Sequence, residues 1–235
     1  MQDDVFGFGD EEIPDIPTQI ESNVEQRTPC VLVLDCSASM SSSGRIDALN
    51  EGLRAFEAAL KDDDVASQRV MVKVLAFGGD AEVSAVTDWT DAWFFQAPTL
   101  KANGNTPMGA AMEQAHAEIE FIKEELRGGG ISYTRPWIFL MSDGAPTDSG
   151  WEEAAARSRE AVLAKKAMVW LIGVPGVQAA PMQAFAGPDT AVYQVDGAEF
   201  GGMFQWLSSS LSTAASSAPG ETLQLEAPSR ITIDN

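Results

Sequence analysis

The stretch Cys30-Val-Leu-Val-Leu-Asp35-Cys-Ser-Ala-Ser39 governs how the rest of the chain is read. Cys30 to Leu34 is a continuous apolar run rather than an alternating one, which predicts a strand buried on both faces of a parallel sheet. The run stops at Asp35, and the pattern D-x-S-x-S follows at once. In a parallel α/β sheet, ligands bind outside the carboxyl ends of the strands where strand order reverses, so residues just past strand ends are the first functional candidates.

Downstream, Ile46, Leu49, Leu53, Phe56 and Leu60 recur at three- and four-residue spacing and predict an amphipathic helix over Ile46 to Leu60. Val70 to Phe77 reads as a second strand. Gly78-Gly79-Asp80 reads as a hairpin turn into an antiparallel edge strand over Ala81 to Val86. Asn103-Gly-Asn-Thr-Pro107 precedes a helix to about Leu126, with Pro107 suited to the first helical turn. Strands over Trp137 to Met141, Met168 to Val174 and Ala191 to Val195 alternate with helices over Trp151 to Lys165 and Phe200 to Leu211. This order predicts one α/β domain, with a mostly parallel central sheet, one antiparallel edge strand and helices on both faces.

Two flanks differ from that body. Residues 1–27 form an acidic N-terminal arm: eight acidic residues and no Lys or Arg through residue 26, with Pro14 and Pro17 interrupting any helix. Its Val5, Phe6, Phe8, Ile13 and Ile16 suit docking on a partner or on the domain, and an idle solvated tail is the alternative. Residues 214–235, rich in Ser, Ala, Pro and Gly, read as a C-terminal tail with one possible strand at Leu223 to Leu225. The domain proper is therefore placed at 28–213.

Composition narrows the function. The 235 residues hold 15 Lys and Arg against 35 Asp and Glu, a formal net charge of −20, which repels nucleic-acid phosphates and anionic lipid. Neither nucleic acid nor membrane is expected as a partner. Met-Gln-Asp-Asp lacks the start of a secretory signal, and no run approaches the ~18 apolar residues of a spanning helix. The expected location is the cytoplasm. Cys30 and Cys36 share one strand and stand roughly 20 Å apart at about 3.3 Å per residue, past the ~7 Å reach of a disulfide. Reduced, buried thiols are expected.

Three places at strand or helix ends carry the chemistry: Asp35-x-Ser37-x-Ser39, Thr106, and Asp143 in Met141-Ser-Asp-Gly-Ala-Pro-Thr-Asp148. Two carboxylates and three hydroxyls are hard oxygen ligands, which suit Mg²⁺, Mn²⁺ or Ca²⁺ and argue against Zn²⁺. With only two negative charges, the ion stays electrophilic, and an open position favours a carboxylate from a partner. In a locally extended loop, Asp35, Ser37 and Ser39 at i, i+2 and i+4 would project to one side.

These residues resemble the metal-ion-dependent adhesion site (MIDAS) of von Willebrand factor A (VWA) domains, over roughly Thr28 to Leu211. The segments Val33-Leu-Asp-Cys-Ser-Ala-Ser-Met40, Asn105-Thr-Pro-Met-Gly-Ala-Ala111 and Ser142-Asp-Gly-Ala-Pro-Thr-Asp148, followed by Trp151, are similar to the bacterial TerY branch. That branch is associated with tellurium resistance and stress response. The resemblance implies a Rossmann-like VWA fold and a metal-dependent protein-binding module, encoded near a serine/threonine kinase and phosphatase. Ala38 stands where such motifs usually carry Gly, a strained choice if the position needs positive φ.

Other features admit plainer readings. Ser41-Ser42-Ser43-Gly44 is a flexible loop, or else a set of phosphorylatable hydroxyls. Asp62-Asp63-Asp64 fails as a calcium loop, lacking its Gly, and reads as a solvated helix end. Trp89, Trp93, Phe94 and Phe95 either pack the sheet edge or form a partner surface. His116 lies inside a predicted helix, and neither a G-x-S-x-G elbow nor a Walker A sequence is present. No enzyme is expected. The rival is a Mg²⁺-dependent phosphohydrolase at Asp35, against which Ser37 stands where haloacid-dehalogenase-type enzymes carry a second Asp.

Overall fold

The computed structural model describes residues 23–218, apart from 79–81, 175–176, 188–189 and 196–199, together with Glu221 and Leu225. Seven strands form one sheet: β1 (Thr28–Cys36), β2 (Val70–Gly78), β3 (Glu82–Ala85), β4 (Thr90–Asp91), β5 (Trp137–Ser142), β6 (Met168–Gly173) and β7 (Val192–Gln194). The spatial order is β3-β2-β1-β5-β6-β7, with β4 beside β2. The pairs β1–β2, β1–β5, β5–β6 and β6–β7 are parallel, while β3 and β4 run antiparallel along the outer edge of β2. The mixed α/β, Rossmann-like architecture with its antiparallel edge is therefore present.

All nine residues of β1 are buried, as its unbroken apolar run requires. Because side chains alternate across a strand, Cys30, Leu32 and Leu34 enter one core and Val31 and Val33 the other. The first core is closed by α1 (Arg45–Asp62), through Leu49, Leu53, Phe56 and Leu60, and by the last helix, which contributes Phe200, Phe204, Leu207 and Leu211. Gly52 of α1 lets these helices touch: a Cβ there would stand 2.5 Å from the Phe204 ring. The six-residue α2 (Asp64–Arg69) follows. The second core is closed by α3 (Met108–Gly128), through Met108, Ala111, Met112, Ala115 and Ile119, and by α4 (Trp151–Leu163), through Ala154 and Ala155. A short α5 (Ala179–Ala184) and α6 (Phe200–Ser216) complete the chain of elements.

Several expectations are corrected. The last helix runs to Ser216, past Leu211 and into residues read as tail, because Leu211, Ala214 and Ala215 remain in the core. Ser41 to Gly44 lies in Ala38–Gly44, two 3-10 turns joined by a kink at Ser42 and Ser43, rather than in a loose loop. Asp63 is a helix cap, accepting the Val65 and Ala66 N–H groups at 3.0 and 2.7 Å, rather than a solvated end. Pro107 precedes the first turn of α3 instead of occupying it. Of the four aromatics, Phe95 is fully buried and Trp89 half-buried, whereas Trp93 and Phe94 are exposed, so that set divides between the two readings. Arg27, grouped with the acidic arm, is wholly buried beside Asp91.

Cys30 and Cys36 are both buried free thiols. Among the described residues, no helix is long and apolar enough to cross a membrane. Residues 1–22, most of the Gly78-Gly79-Asp80 turn and most of the possible strand at Leu223 to Leu225 lie outside the described residues.

Candidate metal centre

β1 and β5 are parallel neighbours, with Leu34 opposite Met141. Asp35 and Ser142 thus leave the sheet side by side, and Asp143 is the next residue along. From here β1 leads to α1 on one face, whereas α3 on the other face precedes β5, so the two carboxyl ends flank the crevice where strand order reverses.

Asp35 is fully buried. Its Oδ1 accepts the Ser37 N–H at 2.8 Å and its Oδ2 accepts the Ser142 hydroxyl at 2.5 Å. Burial pushes the Asp35 carboxyl above its ordinary range. The Ser142 and Ser37 hydrogen bonds oppose that rise, and the nearby charge of Asp143 adds to it. A buried carboxylate with a second one beside it is electrostatically short of positive charge.

The loop after Asp35 is not extended. Ser37 caps the 3-10 turn, and the Met40 N–H bonds back to the Ser37 carbonyl at 3.0 Å. Turn geometry rather than strand alternation brings the hydroxyls together: Ser37 Oγ and Ser39 Oγ are 2.9 Å apart. Ser39 Oγ donates to Asp143 Oδ1 at 2.6 Å. A hydroxyl has one proton, so Ser37 is the donor across the Ser37–Ser39 contact. Ala38 is not among the described residues of positive φ, so its departure from Gly carries no backbone strain.

Thr106 is brought alongside Asp143-Gly144: a Cβ built on Gly144 would lie 3.7 Å from Thr106 Oγ1. The Thr106 N–H donates to Thr147 Oγ1 at 2.9 Å, and the Thr106 carbonyl accepts the Thr147 N–H at 2.9 Å. Asp148 then accepts the Gly109 and Ala110 N–H groups at 3.3 and 2.9 Å, placing its charge at the positive end of α3. The loop before Thr106 is laced to the loop after Asp35 by Asn103 N–H to the Cys36 carbonyl at 2.7 Å and Ala38 N–H to the Gly104 carbonyl at 3.0 Å. Backbone hydrogen bonds therefore hold all three candidate segments to one another.

Sequence reasoning assigned no role to Ser142, Thr147, Asp148 or Arg45. The Arg45 guanidinium meets Asp143 Oδ2 at 2.8 Å, with side-chain exposures of 21% for Arg45 and 1% for Asp143. A signal was available: a cation in the first turn of a helix opposes the helix dipole and needs a local anion. Ser142 stood within a quoted motif but has the side chain of an ordinary strand terminus.

The donor set of Asp35, Ser37, Ser39, Thr106 and Asp143 fits a hard divalent cation: oxygen donors only, and a local charge that favours one. Among the described residues, no group of three or more His, Cys, Asp or Glu offers a different kind of metal site. The neighbouring Cys36 thiol is pushed up to about 12, first by burial and then by the charge of Asp35, so it stays protonated. His116 lies elsewhere, bonded to Ser158 Oγ at 2.9 Å between α3 and α4. A groove of about 500 Å³ opens beside the centre, lined by Cys36, Gly78, Ser84, Lys101 and Asn103 among others.

Comparison with known proteins agrees with this architecture. Residues 30–145 match the family model of the von Willebrand factor type A domain. No curated protein matches the sequence. Among solved structures, a von Willebrand factor type A protein from Catenulispora acidiphila aligns at 18% identity with a TM-score of 0.61, over 80% of this chain and 43% of that one. The pilus adhesin SpaC from Lactobacillus rhamnosus GG aligns at 14% identity and 0.62, over 81% and 31%. The vWF domain of the type V pili tip protein Mfa5 from Porphyromonas gingivalis aligns at 12% identity and 0.62, over 85% and 99%. The chain thus spans less than half the length of the first two, and likeness at these identities speaks to the fold.

Proposed function

Because the chain carries a von Willebrand factor type A domain, a module commonly devoted to protein interaction, we propose that it is a metal-dependent protein-binding adaptor rather than an enzyme. Asp35, Ser37, Ser39, Thr106 and Asp143 would hold Mg²⁺, with Mn²⁺ or Ca²⁺ as substitutes. The bound ion supplies Lewis acidity toward an acidic side chain of a protein partner. The observation carrying this reading is the unbroken path of hydrogen bonds Ser142–Asp35–Ser37–Ser39–Asp143 across the switch point.

The residues divide the work. Ser142 and the Ser37 N–H orient the Asp35 carboxylate, and Ser39, accepting from Ser37 and donating to Asp143, links the two acidic ends of the centre. Thr147 and Asp148 fasten Thr106 and the Asp143 loop onto the start of α3. The adjoining groove, with Lys101 on its wall, suits an acidic partner segment. The motif similarities support a finer assignment, a TerY-like role in a cytoplasmic stress-response assembly with a serine/threonine kinase and phosphatase.

Affinity purification with the full chain tests this. Partners should be captured in Mg²⁺ and lost in EDTA or with Asp35→Ala, while calorimetry shows Mg²⁺ binding to the native protein only. Capture that survives both treatments would remove the metal bridge.

A further inference from the structure

The metal centre contains a positive charge of its own. Arg45 is the first residue of the 18-residue helix α1, yet its guanidinium sits 2.8 Å from Asp143 Oδ2. A cation in a first helical turn faces the positive end of the dipole and weakens the helix. The chain reaches this placement through an unusual path: Ser43 and Gly44, immediately before Arg45, have φ of 55° and 70°. Two adjacent left-handed residues, one of them not glycine, turn the chain so that α1 starts against the site. A local rule broken twice to seat one side chain is characteristic of a functional position.

The consequence is electrostatic. Both oxygens of Asp143 are engaged, Oδ1 receiving the Ser39 hydroxyl and Oδ2 receiving Arg45, with lone pairs left on each. Among the described residues of the centre, Asp35 and Asp143 contribute two negative charges and Arg45 returns one positive charge, so these three groups offer an incoming dication a net charge of −1. We propose that Arg45 is a resident counter-ion that holds down the site's affinity for a divalent cation, so that strong binding requires a further carboxylate from the partner. This rests on the metal-dependent reading above and adds its regulation. Arg45 keeps Asp143 engaged when no ion is bound, and the partner's acid group supplies the charge that Arg45 has cancelled.

The test is Mn²⁺ binding by the full chain, read as free Mn²⁺ by electron paramagnetic resonance at fixed ionic strength, with no partner present. Arg45→Gln should tighten binding by about tenfold or more, since a unit charge beside a dication is removed from a partly buried site. Arg45→Lys, which keeps the charge, should stay within about threefold of the native protein. Asp35→Asn in the Arg45→Gln background should abolish binding. A second readout is melting temperature: by linkage, Mn²⁺ should raise it more in Arg45→Gln than in the native chain. Binding by Arg45→Gln but not by the native chain also supports the counter-ion role. Equal or weaker binding by Arg45→Gln, with native binding intact, overturns the counter-ion role and leaves the metal-dependent reading standing. Binding by neither protein overturns both.

Discussion

Two arginine–aspartate pairs sit at opposite ends of β1, and they do different things. Arg27, just before β1, is wholly buried and meets Asp91 of β4 at a long 3.5 Å. Its better partners are backbone carbonyls, Gln68 at 2.9 Å and Asn23 at 2.7 Å. Arg27 Nε and Asp91 Oδ1 are buried without a hydrogen-bond partner among the described residues. Burial pushes the Asp91 carboxyl up in spite of the guanidinium. That pair is a clamp, tying the entering chain to the edge of the sheet. Arg45, part-exposed, and Asp143, buried, at the other end, are close and continuous with a set of hydroxyls. The same two residue types thus meet mainly backbone carbonyls at one end of β1 and a run of side-chain hydroxyls at the other.

The largest break of this comparison is Arg27→Met. Removing one member of a buried pair leaves Asp91 unpaired, and the unfolding free energy in urea should fall by about 3–5 kcal/mol. Mn²⁺ affinity should stay native. A loss below about 1 kcal/mol would make the Arg27 pair no more structural than a surface contact.

Acid supplies a slightly smaller effect from a third buried site. Ser158 donates its one proton to the Phe185 carbonyl at 2.7 Å, so His116 Nε2–H donates to Ser158. Burial lowers the His116 pKa from 6.5 to about 4, helped by Lys123 and Lys166 and opposed by Glu120. The unfolded chain takes up this proton first, so the contribution is complete above pH 6.5 and is lost as pH falls toward 4. That lowering corresponds to about 3 kcal/mol. Chemical denaturation across that window should show the slope in the native protein and its flattening in His116→Gln. Asp35 and Asp91, both raised, have the opposite sign: acid favours the folded form through them, so a residual slope in His116→Gln separates their part from that of the histidine.

Asp148→Ala removes the acceptor at the start of α3 and should cost about 1 kcal/mol in a thermal melt. Because Asp148 fastens the loop carrying Asp143, Mn²⁺ binding should weaken as well, unlike in Arg27→Met. Ala38→Gly should be the mildest, within about 0.5 kcal/mol, since no positive φ is relieved. A clear gain in stability would mean that Ala38 is strained after all.

Much of the fold was legible because burial imposes a period. β1 showed itself as an unbroken apolar run since both its faces are covered, and α1 as a three-and-four repeat since one of its faces is. The two-residue β4 and the six-residue helices α2 and α5 were missed, being shorter than any period needs. The helix α6 was cut short at Leu211 because Ser-Ala-rich composition resembles a tail, although Ala214 and Ala215 pack in the core. Within the site, Asp35, Ser37, Ser39 and Asp143 were singled out by their places after strand ends and Thr106 by its place at the start of a helix. The extended-loop reason given for the serines was wrong, since a 3-10 turn joins them.

The succession of strands and helices along the chain, the two-faced core and the choice of oxygen-bearing residues were already written in the order of amino acids, since each follows from periodicity or from position along an element, whereas the spatial order of the strands came only with the tertiary structure. The company those residues keep was not written there either. That Arg45 answers Asp143, that Ser142 answers Asp35 and that Asp148 ties down the Thr106 loop depends on where separate loops cross in space. Those crossings are set by a backbone kink at Ser43-Gly44 and by packing between distant elements, neither of which leaves a repeating mark on the chain.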